Sequence, residues 1–250
     1  MINDFELFKN RQIKAKDIFE IKHITKPTAY EFVKTYHYLG DAKFFCMEAF
    51  GLFYKPSNTL VGCATFSIPQ GANALKGWFG LGEHDTSIYE LSRLCVLPEL
   101  NGTNATSFLL SGSIKEIKKE GKIRAIITLA DSSRHVGSIY QVCNFKYYGL
   151  SPIRNNFYWI DENGVSHNSK RGHSKEFHGA WIRRSQKHRY AYILDKNLKC
   201  LYEEVKEKPK SDLRLEVPCC GGTGVVWDRR YNEYYTCPKC TGEFKKINVG

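Results

Sequence analysis

Residues 90–107 read Glu90-Leu91-Ser92-Arg93-Leu94-Cys95-Val96-Leu97-Pro98-Glu99-Leu100-Asn101-Gly102-Thr103-Asn104-Ala105-Thr106-Ser107. The first part belongs to an apolar-rich strand, Ile88 to Leu97, closed by Pro98. A run of small residues follows, and from Thr106 to Glu120 the apolar residues Phe108, Leu109, Ile114 and Ile117 recur at helical spacing. Ile123 to Ala130 is then a nearly continuous apolar run, the mark of a strand buried on both faces. A short helix over about 136–143 and strands at Lys146–Leu150 and Asn156–Ile160 complete the series. Strand, helix, strand, helix, strand in that order predicts an α/β core.

Upstream, Lys26-Pro27-Thr28 opens a helix with proline in its first turn, and Ala29, Phe32, Val33 and Tyr36 form its apolar stripe. The stop is expected at Tyr36-His37-Tyr38-Leu39-Gly40, through the glycine. Phe44–Phe53 and Thr59–Phe66 read as adjacent strands turning at Lys55-Pro56-Ser57-Asn58, and Gln70–Gly82 as a glycine-rich loop. The charged stretch 203–210 reads as a linker, which sets the expected domains at 1–202 and 211–250.

Composition narrows the class. With 250 residues and 42% hydrophobic content the chain can bury a core, which excludes disorder as its main state. No apolar run approaches the roughly 18 to 20 residues of a membrane span, and the first residues lack the pattern of a secretory signal. Nine cysteines, an odd number, five of them in apolar segments, point to free thiols in a reducing cytoplasm. The net charge of +11 is concentrated: from His167 to Lys199 nine cations face only Glu176 and Asp195, a local net of +7. Phe177, Trp181, Tyr190 and Tyr192 are interleaved there, which suggests phosphate grip and base stacking, the bland alternative being a solvated face.

The small-residue loop at 101–107 offers backbone N–H groups backed by a helix dipole, a pocket suited to phosphates. Its plain alternative is a helix cap by Asn104 or Thr106. Polar groups also stand at element ends: His37 and Tyr38 after a helix, and Asp131 and Ser132 after the buried strand, with Tyr140 on the next helix. Ligands of open α/β sheets gather at the carboxyl ends of strands, which makes Asp131 the leading candidate. Packing and helix capping are the structural alternatives for each of these residues.

The order of elements resembles the acyltransferase fold that binds acyl-coenzyme A. More narrowly, residues 29–195 resemble the phage Mom family of DNA adenine-modification proteins, whose fold is of the GNAT type. The stretches that carry this are Tyr36-His37-Tyr38-Leu39-Gly40, Glu90-Leu91-Ser92-Arg93-Leu94, Ala130-Asp131 with His135-Val136-Gly137-Ser138-Ile139-Tyr140-Gln141, Asn144-Phe145-Lys146-Tyr147-Tyr148-Gly149, and Lys187-His188-Arg189-Tyr190. The resemblance implies a mixed central sheet flanked by helices. It implies a transferase placing a carbamoylmethyl, glycinamide-like group on adenine N6 of double-stranded DNA with the base flipped out, in the cytoplasm of a bacterial host, as a shield against restriction. His37, Tyr38, Asp131 and Tyr140 match suspected active-site positions, and Arg93 and Ser107 cofactor-contacting ones, beside the loop residues Asn101, Gly102 and Asn104. The usual acyltransferase loop has two closely spaced glycines, whereas here Gly102 is followed by Asn104. The sequence leaves open an acyl-coenzyme A or related donor and a catalytic iron. An N-acyltransferase of tRNA or a small amine, or a non-catalytic nucleic-acid-binding protein, are the alternative functions.

Past the linker, Pro218-Cys219-Cys220-Gly221-Gly222-Thr223-Gly224 and Cys237-Pro238-Lys239-Cys240 show thiolate spacing typical of structural zinc. The expected ligands are Cys219, Cys220, Cys237 and Cys240. The first segment also resembles half of a DnaJ-type cysteine-rich module. Four thiolates close the coordination sphere, so this zinc is expected to be structural.

Overall fold

The computed structural model describes residues 2–10, 13–37, 44–71, 73–132, 134–153, 157–161, 166–167, 179–210, 225–228, 233–236 and 246–247. The chain opens with helices α1 (Ile2–Lys9) and α2 (Ala15–Ile18), strand β1 (Phe19–His23) and helix α3 (Lys26–Tyr36). Phe5 and Phe8 of α1 set their rings 6.0 and 5.2 Å from Phe19, tying this helix to the first strand. Thr25 caps α3 by accepting from the Thr28 amide at 3.3 Å. The helix stops at Tyr36 because His37 turns to an extended conformation (ψ 140°), before Gly40 is reached.

Strands β2 (Glu48–Tyr54) and β3 (Thr59–Ser67) form the expected hairpin, followed by helix α4 (Ala74–Phe79). This helix lies inside the stretch expected to be a loop. Leu75, Trp78 and Phe79 share one face and are buried, and Gly80 ends the helix in the left-handed region (φ 69°). Strand β4 (Ile88–Val96), a short 3-10 turn at Pro98–Leu100, helix α5 (Ala105–Glu120), strand β5 (Ala125–Asp131), helix α6 (Ser138–Val142) and strand β6 (Lys146–Leu150) reproduce the strand–helix alternation read from the sequence. Further strands are β7 (Phe157–Asp161), β8 (Ser166–His167), β9 (Gly179–Arg183), β10 (Lys187–Ile193), β11 (Val225–Asp228), β12 (Glu233–Thr236) and β13 (Lys246–Ile247).

Seven strands make the main sheet in the order β1-β2-β3-β4-β5-β10-β6. The first four pair antiparallel, and β4 pairs with β5 in parallel, so the sheet is mixed and helix-flanked as expected. Strand β10 runs antiparallel to β5, since Leu194 donates to the Arg124 carbonyl at one end and Ser132 to the Gln186 carbonyl at the other. Two smaller three-stranded sheets are β8-β7-β9 and β11-β12-β13.

The chain divides into two compact units: Met1–Leu129 with Ser138–Gly149 and Arg189–Lys208, and Ala130–Gly137 with Leu150–His188 and Pro209–Gly250. In the first unit α3 covers one sheet face, with Ala29, Phe32 and Val33 on Ala49 and Cys63. Helix α5 buries Leu109, Leu110, Ile114 and Ile117. Gly62 of β3 lies under that helix: a Cβ there would sit 3.3 Å from Leu109 and 2.9 Å from Val96. Leu75, Trp78, Ile88, Ile127, Tyr148 and Ala191 form a further core cluster. Each fully buried Leu, Ile, Val or Phe among these contributes on the order of 1.5 to 3 kcal/mol by leaving water. Among the described residues no helix is long and apolar enough to cross a membrane.

Candidate active site

In the first unit, strands β4 and β5 part company. They pair only at Ile88↔Ala125, Tyr89↔Ile126 and Glu90↔Ile127, while β4 continues to Val96. At the parting point β4 carries an extra residue, Ser92, because its register with β3 steps from Phe66↔Leu91 to Thr65↔Arg93. A bulge bends a strand and raises its twist, which carries β4 away from its parallel neighbour. The Thr128 hydroxyl reaches the Leu91 carbonyl at 3.4 Å. Beyond it Leu129 is 43% exposed, although it lies on a central strand expected to be buried on both faces. The result is a wedge in which β4 and β5 share three paired positions and then diverge.

Strand β4 leads to the small-residue loop. Gly102 is in the left-handed region (φ 79°), with nothing within 4 Å of the position a Cβ would take. Asn104 makes no capping bond with its side chain; Thr103 accepts from the Ala105 amide at 3.2 Å and donates to the Leu100 carbonyl at 2.6 Å. The cap therefore falls on Thr103 rather than on Asn104 or Thr106, and Asn101, Gly102 and Asn104 stay exposed. Ser107 donates to the Asn104 carbonyl at 2.9 Å. The first-turn amides of α5 have no carbonyl a turn earlier to bond, as in any helix. Loop and helix dipole together suit an anionic group.

Arg93 shares its sheet face with Cys95 and the α3 cluster; its guanidinium lies 5.0 Å from the Phe44 ring centroid and donates to the Ser92 carbonyl at 2.7 Å. His37 is half-buried at the end of α3, its amide on the Val33 carbonyl at 2.9 Å. Tyr140 is only 8% exposed, with its ring 5.4 Å from Tyr190 and 5.8 Å from Phe145. Tyr38 lies outside the described residues.

Two carboxylates of this unit escaped the sequence reading. Burial raises the Glu90 pKa, opposed by a hydrogen bond from the Gln70 amide at 2.9 Å and by the charge of Arg93. Glu48 accepts from the Tyr89 hydroxyl at 3.1 Å, and burial first, then Glu48, pushes the Tyr89 phenol up. Period-two strands signal which residues alternate, but not which carboxylate the fold will bury.

In the second unit Asp131 ends β5 in a dense polar cluster. Lys187 Nζ lies 2.5 Å from Asp131 Oδ2, and the Ser185 hydroxyl donates to Oδ1. The turn after the strand folds back, so that the amides of Arg134 and His135 both donate to the Asp131 carbonyl at 2.9 Å. Burial lowers the His135 pKa; Asp131 works against that, and Lys187 and Arg134 with it. His188 is 1% exposed, and burial, then His135, lowers its pKa too. Ser185 and Lys187 stand more than fifty residues from Asp131 in sequence, and no local signal marks them as its partners.

The basic stretch loses part of its expected role. Lys187 is paired with Asp131, and the Arg189 guanidinium lies 3.9 Å from the Tyr202 ring centroid. Tyr190 is 0% exposed, so it cannot stack on a base; the alternation that looked like an aromatic-and-cation face puts its ring in the core. Arg184, Lys196 and Lys199 are exposed, and residues 168–178 lie outside the described part. So do Cys219, Cys220, Cys237 and Cys240. Among the described residues no three His, Cys, Asp or Glu side chains are grouped to hold a metal. Cys46, Cys63, Cys95, Cys143 and Cys200 are free thiols, as expected.

The family model of the Mom protein family matches residues 18–211, which takes in both clusters. The chain belongs to the Mom protein family. Comparison of this Mom-family chain with curated proteins finds no match. Among solved structures it is similar to a GNAT-family acetyltransferase from Bacillus anthracis, at 13% identity over 71% of this chain and 95% of that one, TM-score 0.42. A putative acetyltransferase from Salmonella typhimurium, solved with its cofactor acetyl-CoA, matches at 13% identity over 72% and 96%, TM-score 0.43. Spermidine/spermine N-acetyltransferase from Vibrio cholerae matches at 9% identity over 72% and 95%, TM-score 0.44.

Proposed function

We propose that this Mom-family chain is a transferase that places a carbamoylmethyl group on N6 of adenine in double-stranded DNA, in the cytoplasm of a bacterial host, and so shields phage DNA from restriction. The observation that carries this reading is the family match over residues 18–211. The exocyclic amine of adenine is a weak nucleophile, since its lone pair is delocalised into the ring. Alkylating it needs a group to take the N6 proton as the bond to the donor's methylene carbon forms and the donor's leaving group departs. Asp131, held at the end of β5 by Lys187 and Ser185, is the proton acceptor in this proposal. The target base must also leave the duplex stack to be reached.

The donor enters the proposal as a coenzyme A derivative or related compound whose leaving group sits on the methylene carbon. Direct transfer from an acyl thioester would break the carbonyl–sulfur bond and leave an amide on N6. The divergence of β4 from β5 beside the exposed Leu129 supports a coenzyme A-type donor as a place for an extended pantetheine-like arm, with the donor's phosphates at Asn101–Asn104 and Ser107. Arg93, His37, Tyr38 and Tyr140 belong to the same proposal as substrate-contacting groups. Zinc at Cys219, Cys220, Cys237 and Cys240 is proposed as a structural staple of residues 211–250.

The test is mass spectrometry of nucleosides from DNA of cells expressing the chain, with Asp131→Asn as control. A new adenine adduct of the carbamoylmethyl mass is expected from the wild type and none from the variant at equal expression. No adduct from the wild type, or full modification by Asp131→Asn, would overturn the reading.

A further inference from the structure

Lys187 counts in the sequence as one cation of a basic stretch, yet its surroundings give it a different task. The antiparallel pairing of β5 with β10 brings the last residue of one strand beside the first of the other, with the Ser132 amide on the Gln186 carbonyl at 3.1 Å. From the other flank Ser151 grips the same piece of backbone: its amide donates to the Lys187 carbonyl at 2.7 Å and its hydroxyl accepts from the Lys187 amide at 2.9 Å. Gln186 Nε2 adds a bond to the Ser151 carbonyl at 2.6 Å. The root of the Lys187 side chain is thus clamped on both sides before the ammonium reaches Asp131.

Each oxygen of the carboxylate then has its own donor, Lys187 on Oδ2 and Ser185 on Oδ1, and Lys187 Nζ stands 3.5 Å from Ser185 Oγ. Such a fork fixes both the position and the plane of a carboxylate. Asp131 and Lys187 keep 23% and 33% of their side chains exposed, and ion pairs this open to water contribute little to stability. A carboxylate fixed in position and plane at a strand end, with 23% of its side chain exposed, is suited to meet a substrate.

We infer that Lys187 and Ser185 are positioning residues for Asp131, and that Lys187 is not a DNA phosphate contact. The inference rests on the proposed adenine modification. Lys187 orients Oδ2 and Ser185 orients Oδ1, so that the position and plane of the carboxylate are set for the N6 proton.

The experiment uses the full chain as Lys187→Met, Lys187→Arg and Ser185→Ala, with three readouts: adenine adduct in cellular DNA, salt dependence of binding to unmodified duplex, and thermal midpoint. Lys187→Met should lose about a hundredfold in adduct and Ser185→Ala about tenfold, in the range for donors that align a reacting group. Lys187→Arg, which keeps the charge and a donor, should recover most of the adduct. DNA affinity and its salt slope should match the wild type in all three. A Lys187→Met protein that modifies DNA normally would overturn the inference, as would one whose salt slope falls by about one, the loss of a single phosphate contact. If Lys187→Met fails to fold, Ser185→Ala and Lys187→Arg carry the same comparison. Absence of adduct from the wild type sinks the parent reading and this inference with it; normal wild-type activity with an indifferent Lys187→Met sinks this inference alone.

Discussion

Tyr190 offers the sharpest contrast between a surface and a core role. Its ring is 0% exposed and lies 5.4 Å from the Tyr140 ring and 5.1 Å from that of Tyr147. Its hydroxyl accepts from Gln141 Nε2 at 3.0 Å, and burial pushes the phenol up to about 12. Tyr190→Phe keeps the ring and removes the hydrogen bond from Gln141, a cost of about 1 kcal/mol. Tyr190→Ala empties a ring-sized space between two tyrosines and should cost about 3 to 5 kcal/mol. In a chain of this size each kcal/mol moves the midpoint by about 2 to 4 °C, so Tyr190→Ala should melt about 6 to 20 °C lower. Thermal unfolding followed by near-ultraviolet circular dichroism reads both variants, and binding to a DNA duplex below the transition gives the second axis. Folded Tyr190→Phe should bind DNA as the wild type does. If Tyr190→Ala instead melted with the wild type while its DNA affinity dropped, the ring would be a stacking surface and the core assignment would be wrong.

Leu129→Trp should fill the wedge and cut adenine modification severely while changing stability by no more than about 0.5 kcal/mol, since the site is already open to water; unchanged modification would show that no ligand enters there. Burial raises the pKa of all five described thiols, with Cys95 pushed up to about 12, so native protein at mildly alkaline pH should label with iodoacetamide far more slowly than unfolded protein. Rapid native labelling of Cys63, 0% exposed, would contradict this. His135 and His188 have folded pKa values below the ordinary histidine value, so the unfolded chain binds more protons as pH falls. Their contribution to stability is complete above about pH 6.5 and is lost as pH drops through the folded values. Urea midpoints should therefore fall on acidification and do so less steeply in His188→Gln; a variant with the wild-type slope would remove His188 from the account.

How far the sequence reaches depends on the distance over which each feature is decided. The alternation from β4 to β6 was legible because apolar period, proline and glycine act within a few residues. Asp131 could be singled out because it directly follows an apolar run, and the run's end is a local event. Helix α4 was missed because glycines obscured the Leu75, Trp78 and Phe79 spacing, whose burial depends on contacts with Tyr148 and Leu198 far along the chain.

Composition and local pattern alone therefore determined the order of strands and helices from β4 to β6, the free thiols of the apolar segments and the position of Asp131 at a strand end. Tertiary structure decided what no short window contains. The bulge at Ser92 opens β4 from β5 and leaves Leu129 in the gap. The pairing of β5 with β10 takes Lys187 out of the basic stretch and puts it on Asp131, and the same strand turns Tyr190 inward. A charge count sums residues without regard to where they point, whereas strand pairing sends neighbours to opposite faces and brings distant residues together. In residues 187–190, partners reached only through the fold decide what each side chain does.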